Sequence, residues 1–134
     1  MSELDPATNI FIDNLTYDAS GLIPAIAQQH DTGEVLMMAW MNRESLRETL
    51  TGGRVVYWSR SRQSLWRKGD SSGQIQKLIE LRVDCDKDCL LLLVDQIGVA
   101  CHTGRRNCFF TAIRDNSPKI IADVLVPPEK LYRA

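Results

Sequence analysis

The chain has few of the features that mark membrane, secreted or nucleic-acid-binding proteins. Its net charge is only −1 over 134 residues, so it has no excess of basic side chains with which to neutralise many phosphates. Its longest apolar run, residues 89–94, is too short to cross a bilayer. Residues 1–5 are acidic and have no apolar core, so we expect no signal peptide. We therefore expect a cytoplasmic protein with neither a membrane nor a nucleic acid as its partner.

Internal repeats, linkers and low-complexity segments are also missing, so we expect residues 1–134 to form a single domain. Residues 22–29 and 34–41 predict a β-hairpin, followed by a helix over 43–51 that Asn42 caps. Further strands are predicted over 55–60, 77–84, 90–97 and 109–113, with a loop over 68–73. The strand over 90–97 is apolar on both faces, which favours a central or interface position. Residues 1–20 read as an irregular N-terminal arm, and residues 116–134 as a C-terminal tail that wraps the surface.

Residues 84–109 hold most of the side chains that bind metals. All four cysteines lie there, together with one of the two histidines and three alternating aspartates. Cytosolic thiols stay reduced, so we expect these cysteines to be metal ligands or buried small residues rather than disulfides.

The three aspartates begin at the end of a clean strand-like alternation over residues 77–84, in which Ile79, Leu81 and Val83 are predicted to share the apolar face. If this alternation continues, Cys85 falls on the apolar face, while Asp84, Asp86 and Asp88 share the polar face. Carboxylates suit a hard cation such as Mg²⁺, although a solvated acidic turn fits the same pattern. An EF-hand is excluded, because Cys89 stands where that loop needs glycine and leucines follow it.

The cysteines suggest a second metal. Cys85, Cys101 and Cys108 together offer three thiolates, which would leave the fourth position of Zn²⁺ open for water, as in catalytic sites. Cys89 could be a fourth ligand of a purely structural site, or a packed small residue, which we favour. His102 could be a ligand, a general base or a surface residue, and its neighbours favour the general base.

A basic stretch, residues 54–69, contains interleaved aromatic side chains and no acid. In strand register Trp58, Arg60 and Arg62 point the same way, and Trp66 and Lys68 follow. Aromatic rings can stack on a base while cationic groups hold phosphate, which makes these five residues candidates for substrate binding. A half-buried strand with a solvated basic edge explains the pattern equally well. Residues 68–73 loosely resemble a phosphate loop but lack the spacing of a P-loop.

Together these residues closely resemble the phosphoribosyl-AMP cyclohydrolases, the ring-opening enzymes of histidine biosynthesis. The resemblance covers roughly residues 21–115. It departs at Asp70, where the family pattern has Glu, and at Asn107, where it has Ser. The segments that carry it are VLMMAWMN (35–42), YWSRSR (57–62), LWRKG (65–69), DCDKD (84–88) and CHTG (101–104).

The resemblance implies an α+β fold in an intertwined homodimer. Some relatives carry a second, pyrophosphohydrolase domain, and we expect these 134 residues to be too few to hold one. It implies Zn²⁺ at Cys85, Cys101 and Cys108, with Cys85 from the partner chain, and Mg²⁺ at Asp84, Asp86 and Asp88. The implied reaction is hydrolysis of the N1–C6 bond of the adenine ring of 1-(5-phosphoribosyl)-AMP, a small nucleotide. Zinc-activated water would be the nucleophile, and His102 would carry a proton towards N1.

Chain geometry supports the shared zinc site. A straight strand over 90–97 would carry the chain roughly 26 Å from Cys85, and the few residues before Cys101 could recover only about 14 Å. A two-fold dimer would supply the missing cysteine to both sites at once.

Two other functions use part of the same pattern. A zinc nucleobase deaminase would attack the same carbon, but its His-x-Glu and Pro-Cys-x-x-Cys signature is missing. A structural-zinc RNA-binding module would need a tetrathiolate site that includes Cys89 and would show no turnover.

Overall fold

This computed structural model describes residues 3–131, which contain eight strands and three short helices joined by turns and loops. No helix among these residues has the length and apolar character needed to cross a membrane. The elements are α1 (Pro6–Asp13), β1 (Ile23–Gln29), β2 (Val35–Met41), α2 (Arg43–Gly52), β3 (Val56–Ser59), β4 (Ser64–Arg67), β5 (Gln76–Val83), β6 (Leu90–Gln96), β7 (Thr111–Arg114), β8 (Ser117–Ile120) and α3 (Pro128–Leu131).

Six of the strands form one mixed sheet in the order β4-β3-β2-β1-β6-β5, while β7 and β8 form a separate hairpin. In the large sheet β1 and β6 run parallel, and the other neighbouring strands are antiparallel. This mixed sheet with few helices confirms the α+β class. The strand pairing also confirms the predicted β1–β2 hairpin.

The two parallel strands supply the centre of the core. In both β1 and β6 every second residue is buried and the residues between are half-buried, as expected for strands with neighbours on each side. β6 lies between β1 and β5, which confirms its predicted central position. Burial of a side chain such as Leu92, which is fully buried, contributes about 1.5–3 kcal/mol.

The helix after β2 begins as its sequence predicts. The amide of Ser45 donates to Asn42 Oδ1 at 2.8 Å, and the amide of Asn42 donates to Ser45 Oγ at 2.9 Å. This reciprocal cap typically contributes about 1 kcal/mol. Gly53 ends the helix in the left-handed region, with φ of 77°. Leu46 is buried in the core and fixes α2 against the sheet.

The predicted alternation along β5 is interrupted. The register shifts between Leu78 and Glu80, which marks a β-bulge opposite β6. As a result Ile79 is 54% exposed, whereas Leu81 and Val83 pack against the core. The prediction that Ile79 shares a face with Leu81 and Val83 is therefore wrong, because a bulge inserts one extra residue and breaks the two-residue period.

Both terminal segments are more regular than the sequence predicted. Residues 6–13 form α1, capped by the Asp5 side chain and with Pro6 at its first position, where proline is well tolerated. In the tail, β7 and β8 pair across Asp115 and Asn116, whose φ angles are 52° and 63°. Two positive φ angles define the tight turn that favours such hairpins, so residues 116–120 are part of a strand pair rather than an irregular wrap.

Candidate active site

A six-residue turn, residues 84–89, joins β5 to the N-terminal end of β6, and we call it the acid turn. Asp84 Oδ1 accepts hydrogen bonds from the backbone N–H groups of Asp88, at 3.0 Å, and Cys89, at 3.2 Å. Lys87 has φ of 61°, and its carbonyl accepts a hydrogen bond from the amide of Thr16 at 2.8 Å. Local hydrogen bonds and the segment after α1 therefore fix this turn.

The acid turn brings three exposed carboxylates together. One oxygen each of Asp84, Asp86 and Asp88 lies within 4.8 Å of the others, and residues 3–131 contain no second group of three His, Cys, Asp or Glu side chains this close. The hydrogen bond to Asp84 and the negative charges of Asp84 and Asp86 raise the pKa of Asp88. Desolvation opposes ionisation of Asp84, but hydrogen bonds from Asp88 and Cys89 outweigh it and lower its pKa. Crowded carboxylate oxygens of this kind can hold a hard divalent cation.

The aspartates converge because the chain turns, not because a strand continues. β5 ends at Val83, and the amide of Asp84 donates to the carbonyl of Cys89 at 3.1 Å. Cys85 is exposed in the turn rather than on the apolar face of a strand. The prediction of Cys85 on the apolar face was therefore wrong, because the strand alternation ends at Val83, before the acid turn begins.

Two thiols meet at the opposite end of the sheet, in residues 99–108, which we call the cysteine loop. Cys101 is buried, and Thr103 Oγ1 donates to its Sγ at 3.1 Å. The amide of Cys108 donates to the carbonyl of Leu36 in β2 at 2.7 Å. Although Cys108 as a whole residue is exposed, partial desolvation and the adjacent Cys101 thiol raise its pKa to about 12. Without metal the Cys108 thiol thus stays protonated beside Cys101, and a metal that binds Cys108 must displace that proton.

The third predicted thiol, Cys85, does not reach this pair within one chain. The acid turn precedes β6 and the cysteine loop follows it, and the seven residues of β6 span about 20 Å. The pairing of β6 with β1 keeps one register from Leu90 to Val94, so the strand does not fold back on itself. Cys89 also lies at the acid-turn end, where its amide binds Asp84. One chain therefore places two cysteines at each end of β6.

A cavity of about 590 Å³ lies beside the cysteine loop. Arg62, Trp66, Lys68 and His102, four of the predicted site residues, line it. Lys68 is only 6% exposed, and its Nζ lies 5.8 Å from the centre of the Trp66 ring. Burial lowers the pKa of Lys68, although the thiolate forms of Cys108 and Cys101 would act in the opposite direction. Hydroxyl groups complete the wall, from Ser59, Ser61, Ser64, Ser71 and Ser72.

The other two candidates for substrate binding lie elsewhere. Trp58 and Arg60 line a separate cavity of about 220 Å³, and the Arg60 guanidinium lies 4.8 Å from the centre of the Trp40 ring. The predicted common direction of Trp58, Arg60 and Arg62 is wrong, because β3 ends at Ser59 and the chain turns back into β4. The predicted strand over 55–60 is therefore shorter, and β4 was not predicted.

Several buried polar residues near the cysteine loop also escaped prediction. Gln29, Gln76 and Gln96 are at most 4% exposed, and Arg106 bonds to the first of them. A signal was present in the sequence: the inward-facing positions of β1 and β6 are apolar until the last, which is glutamine in both strands. A polar residue that ends two neighbouring apolar rows indicates a buried hydrogen-bond network.

The fold and these sites define a small α+β protein with a candidate hard-metal cluster at one end and a thiol pair beside a polar cavity at the other. Residues 37–110 match the family model described as Phosphoribosyl-AMP cyclohydrolase. The chain is 76% identical over 118 residues to the phosphoribosyl-AMP cyclohydrolase of Rhodospirillum centenum, which covers 88% of this chain and 89% of that protein. The corresponding protein of Paracoccus denitrificans is 70% identical over 108 residues, or 81% of this chain and 89% of that protein. The chain belongs to the phosphoribosyl-AMP cyclohydrolase family, a family of hydrolases, and this confirms the resemblance seen in the sequence.

Proposed function

We propose that this chain hydrolyses the N1–C6 bond of the adenine ring of 1-(5-phosphoribosyl)-AMP, a step of histidine biosynthesis. The observation that carries the proposal is the cavity that Lys68 and His102 both line, with Lys68 beside the Cys101–Cys108 pair, in a chain of this family. The cavity is large enough for a nucleotide, since sites for small molecules typically measure roughly 300–1,000 Å³. Residues 1–134 would act as one domain.

The thiol pair is the candidate zinc site. Cys101 and Cys108 already interact in the folded chain, and thiolates are preferred zinc ligands. Cys85 of a second copy would be the third ligand. Zinc held there would supply a water nucleophile at neutral pH.

A homodimer would place that third ligand. Because Cys85 and the thiol pair lie at opposite ends of β6, an antiparallel two-fold arrangement could bring each acid turn to the partner's cysteine loop. The C-terminal hairpin region carries exposed apolar residues that suit such an interface. These residues are Ile113, Ile120, Ile121, Val124 and Leu125.

The chain's own residues would perform the rest of the reaction. The oxygen of water bonds to C6, the N1–C6 bond breaks, and its electron pair remains on N1. His102, exposed at the edge of the cavity, would take the proton from water and return it to N1. Trp66 would stack on the purine, while Lys68 and Arg62 would bind one phosphate. Trp58 and Arg60, in the smaller cavity, would bind the other phosphate.

The acid turn is the candidate magnesium site. Its three carboxylates offer hard oxygen ligands on the surface, where Mg²⁺ can keep several of its waters. Asp84, Asp86 and Asp88 would hold the ion, whose positive charge would offset most of their mutual repulsion. Through the dimer this ion would lie near the partner's zinc, so it could help to hold a substrate phosphate.

The activity is tested by incubating the purified protein with phosphoribosyl-AMP, and following both the new ultraviolet absorbance of the opened ring and the release of ammonia. Ring opening without ammonia is expected. Ammonia release would instead support a deaminase. A zinc-bound protein with no turnover would support the structural-zinc module, and that module would also need Cys89.

The shared zinc site has its own test. Inactive Cys85→Ser and Cys101→Ser proteins are mixed under conditions in which dimers exchange, and mixed dimers are verified by differential tagging. In a mixed dimer one site collects both substitutions and the other has none, so activity should reappear. Mixed dimers without activity would refute the shared site.

A further inference from the structure

The side chain of Arg106 makes several of the hydrogen bonds that tie the cysteine loop to the sheet. Its Nη1 donates to the carbonyls of Gln96, at 3.2 Å, and Gly98, while its Nη2 donates to Gln29 Oε1 at 3.0 Å. Its own carbonyl accepts a hydrogen bond from the amide of Ala100 at 2.9 Å, which closes the base of the loop. One guanidinium thus connects the loop to the ends of both β1 and β6.

Glu34, just before β2, provides the matching negative charge. Its Oε1 lies 3.5 Å from Arg106 Nε, and its Oε2 accepts a hydrogen bond from Asn107 Nδ2 at 2.8 Å. Both side chains of this ion pair are about one-third exposed or less, so water screens it only in part. The next residue, Cys108, is bonded through its amide to Leu36, two residues beyond Glu34. The loop is therefore held at the two residues before the second thiol and at the backbone amide of Cys108 itself.

The group that receives Arg106 is itself rigid. Gln29 Oε1 also accepts from the amide of Gln96 at 2.9 Å, and Gln96 Oε1 accepts from Gln76 Nε2 at 2.9 Å. Tyr57 then donates to Gln76 Oε1 at 2.7 Å. This chain of hydrogen bonds crosses four strands, and residues 3–131 contain no buried side-chain nitrogen or oxygen without a partner. A fully satisfied buried network holds its members in one arrangement.

We propose that Arg106, together with Glu34, is a positioning residue for the Cys101–Cys108 pair. The anchor holds the two interacting thiols next to each other before any metal arrives, so the protein does not have to order the loop when the metal binds. The proposal rests on the proposed function, because it takes these thiols to be zinc ligands.

Arg105 offers a matched control one residue away. It carries the same charge in the same loop, but its Nε donates to the carbonyl of Ala122 at 2.9 Å and its guanidinium lies 4.1 Å from the centre of the Phe110 ring. Arg105 thus ties the loop to the C-terminal tail and not to the sheet. If general attachment of the loop were enough, both arginines would matter equally.

The experiment compares Arg106→Gln with Arg105→Gln in the full-length protein, after circular dichroism has verified that both fold. Zinc affinity is measured by chelator competition, and site geometry by the visible and thiolate charge-transfer bands of the Co²⁺ protein. Arg106→Gln should weaken zinc binding by about tenfold or more and reduce the tetrahedral cobalt bands, as loss of a supporting contact around a metal typically does. Arg105→Gln should stay close to wild type, and Mn²⁺ binding at the acid turn should change in neither.

Two milder variants allow the same test if Arg106→Gln does not fold. Glu34→Gln keeps an acceptor but removes the charge. Asn107→Ser removes the bond to Glu34 and also the Oδ1 acceptor that the amide of Phe109 uses. Each should weaken zinc binding less than Arg106→Gln but more than Arg105→Gln. Unchanged zinc affinity in the folded Arg106 and Glu34 variants, or an equal loss in Arg105→Gln, would overturn the proposal.

A measurement without metal separates this proposal from the zinc site itself. In the metal-free protein, alkylation of the buried Cys101 should be faster in Arg106→Gln than in wild type, because the loop has lost its anchor. If wild type binds zinc no better than Cys101→Ser, the zinc assignment fails, and the alkylation rates still decide whether Arg106 holds the loop. Equal rates would overturn the anchor.

Discussion

The acid turn and the cysteine loop lie at opposite ends of β6 and are built in different ways. The acid turn gathers its three carboxylates within five residues, through hydrogen bonds of its own backbone, and all three are exposed. The cysteine loop places Cys101 and Cys108 seven positions apart and holds them through contacts with distant residues such as Glu34 and Gln29.

The difference follows from the chemistry of the ligands. Exposed carboxylates are hydrated by water when no cation is bound, so a short surface turn is sufficient to assemble them. Thiols that must be held beside a cavity need a fixed backbone, and backbone far from its partners in sequence is fixed only by tertiary contacts. The acid turn also has three candidate ligands in one chain, whereas the cysteine loop has two, and under the proposed function a second copy would supply the third.

The largest effect is expected from the cysteine loop. Cys101→Ser or Cys108→Ser should remove bound zinc and abolish activity, because each takes away a primary ligand. Zinc content by atomic absorption and the ring-opening assay measure both effects. Cys89→Ala should keep zinc and activity, since Cys89 is partly buried just before β6 and its Sγ donates to the carbonyl of Leu90 at 3.9 Å. Zinc loss in Cys89→Ala would show a structural tetrathiolate site and break the comparison.

The acid turn can be removed separately. Asp84→Asn combined with Asp86→Asn should abolish the dependence on magnesium and most activity, while zinc content stays near normal. Glu80→Gln is the matched control, because Glu80 is an exposed acid on β5 that pairs with Arg82 outside the turn. If zinc disappears from the double variant, the two ends are not independent.

Substitution of Arg62 and Arg60 tests whether the cavity beside the cysteine loop or the smaller cavity contributes more to substrate binding. Arg62→Lys should raise KM by about tenfold, equivalent to about 1.4 kcal/mol, since lysine cannot reproduce a bidentate contact with phosphate. Arg60→Lys should raise KM less, because Arg60 lies in the smaller cavity and stacks on Trp40. An unchanged KM in both variants would exclude these arginines from the substrate site.

The smallest effect is expected from Thr16, which supports the acid turn from outside it. Thr16 Oγ1 donates to the carbonyl of Asp86 at 3.3 Å, in addition to the backbone bond from Thr16 to Lys87. Thr16→Ala should weaken Mn²⁺ binding, measured by electron paramagnetic resonance, by no more than about fivefold, or ~1 kcal/mol. Thr16→Ser keeps the hydroxyl and should match wild type. A much larger loss in Thr16→Ala would mean that the acid turn also depends on long-range contacts.

Prediction from the sequence was most reliable where structure is local. The β1–β2 hairpin, the cap at Asn42 and the central position of β6 follow from residue spacing within short windows, and the structure confirms them. Prediction failed where the two-residue alternation of a strand was assumed to continue beyond the end of that strand. Cys85 does not lie on the apolar face predicted for it, because β5 ends at Val83. Arg60 does not point the same way as Trp58 and Arg62, because β3 ends at Ser59. The bulge at Ile79 broke the period for the same reason: alternation does not reveal its own interruptions.

The sequence by itself determined which residue types are available for chemistry and which family the chain resembles, because those depend on identity and local order. It also determined that the three aspartates would lie near one another, since only a few residues separate them. Only the tertiary structure decided that Cys101 and Cys108 meet beside Lys68, that Arg62 and Arg60 lie in different cavities, and that Arg106 joins a buried glutamine network. Those contacts join residues far apart in the chain, and their free energy comes from burial and pairing that exist only once the sheet has formed.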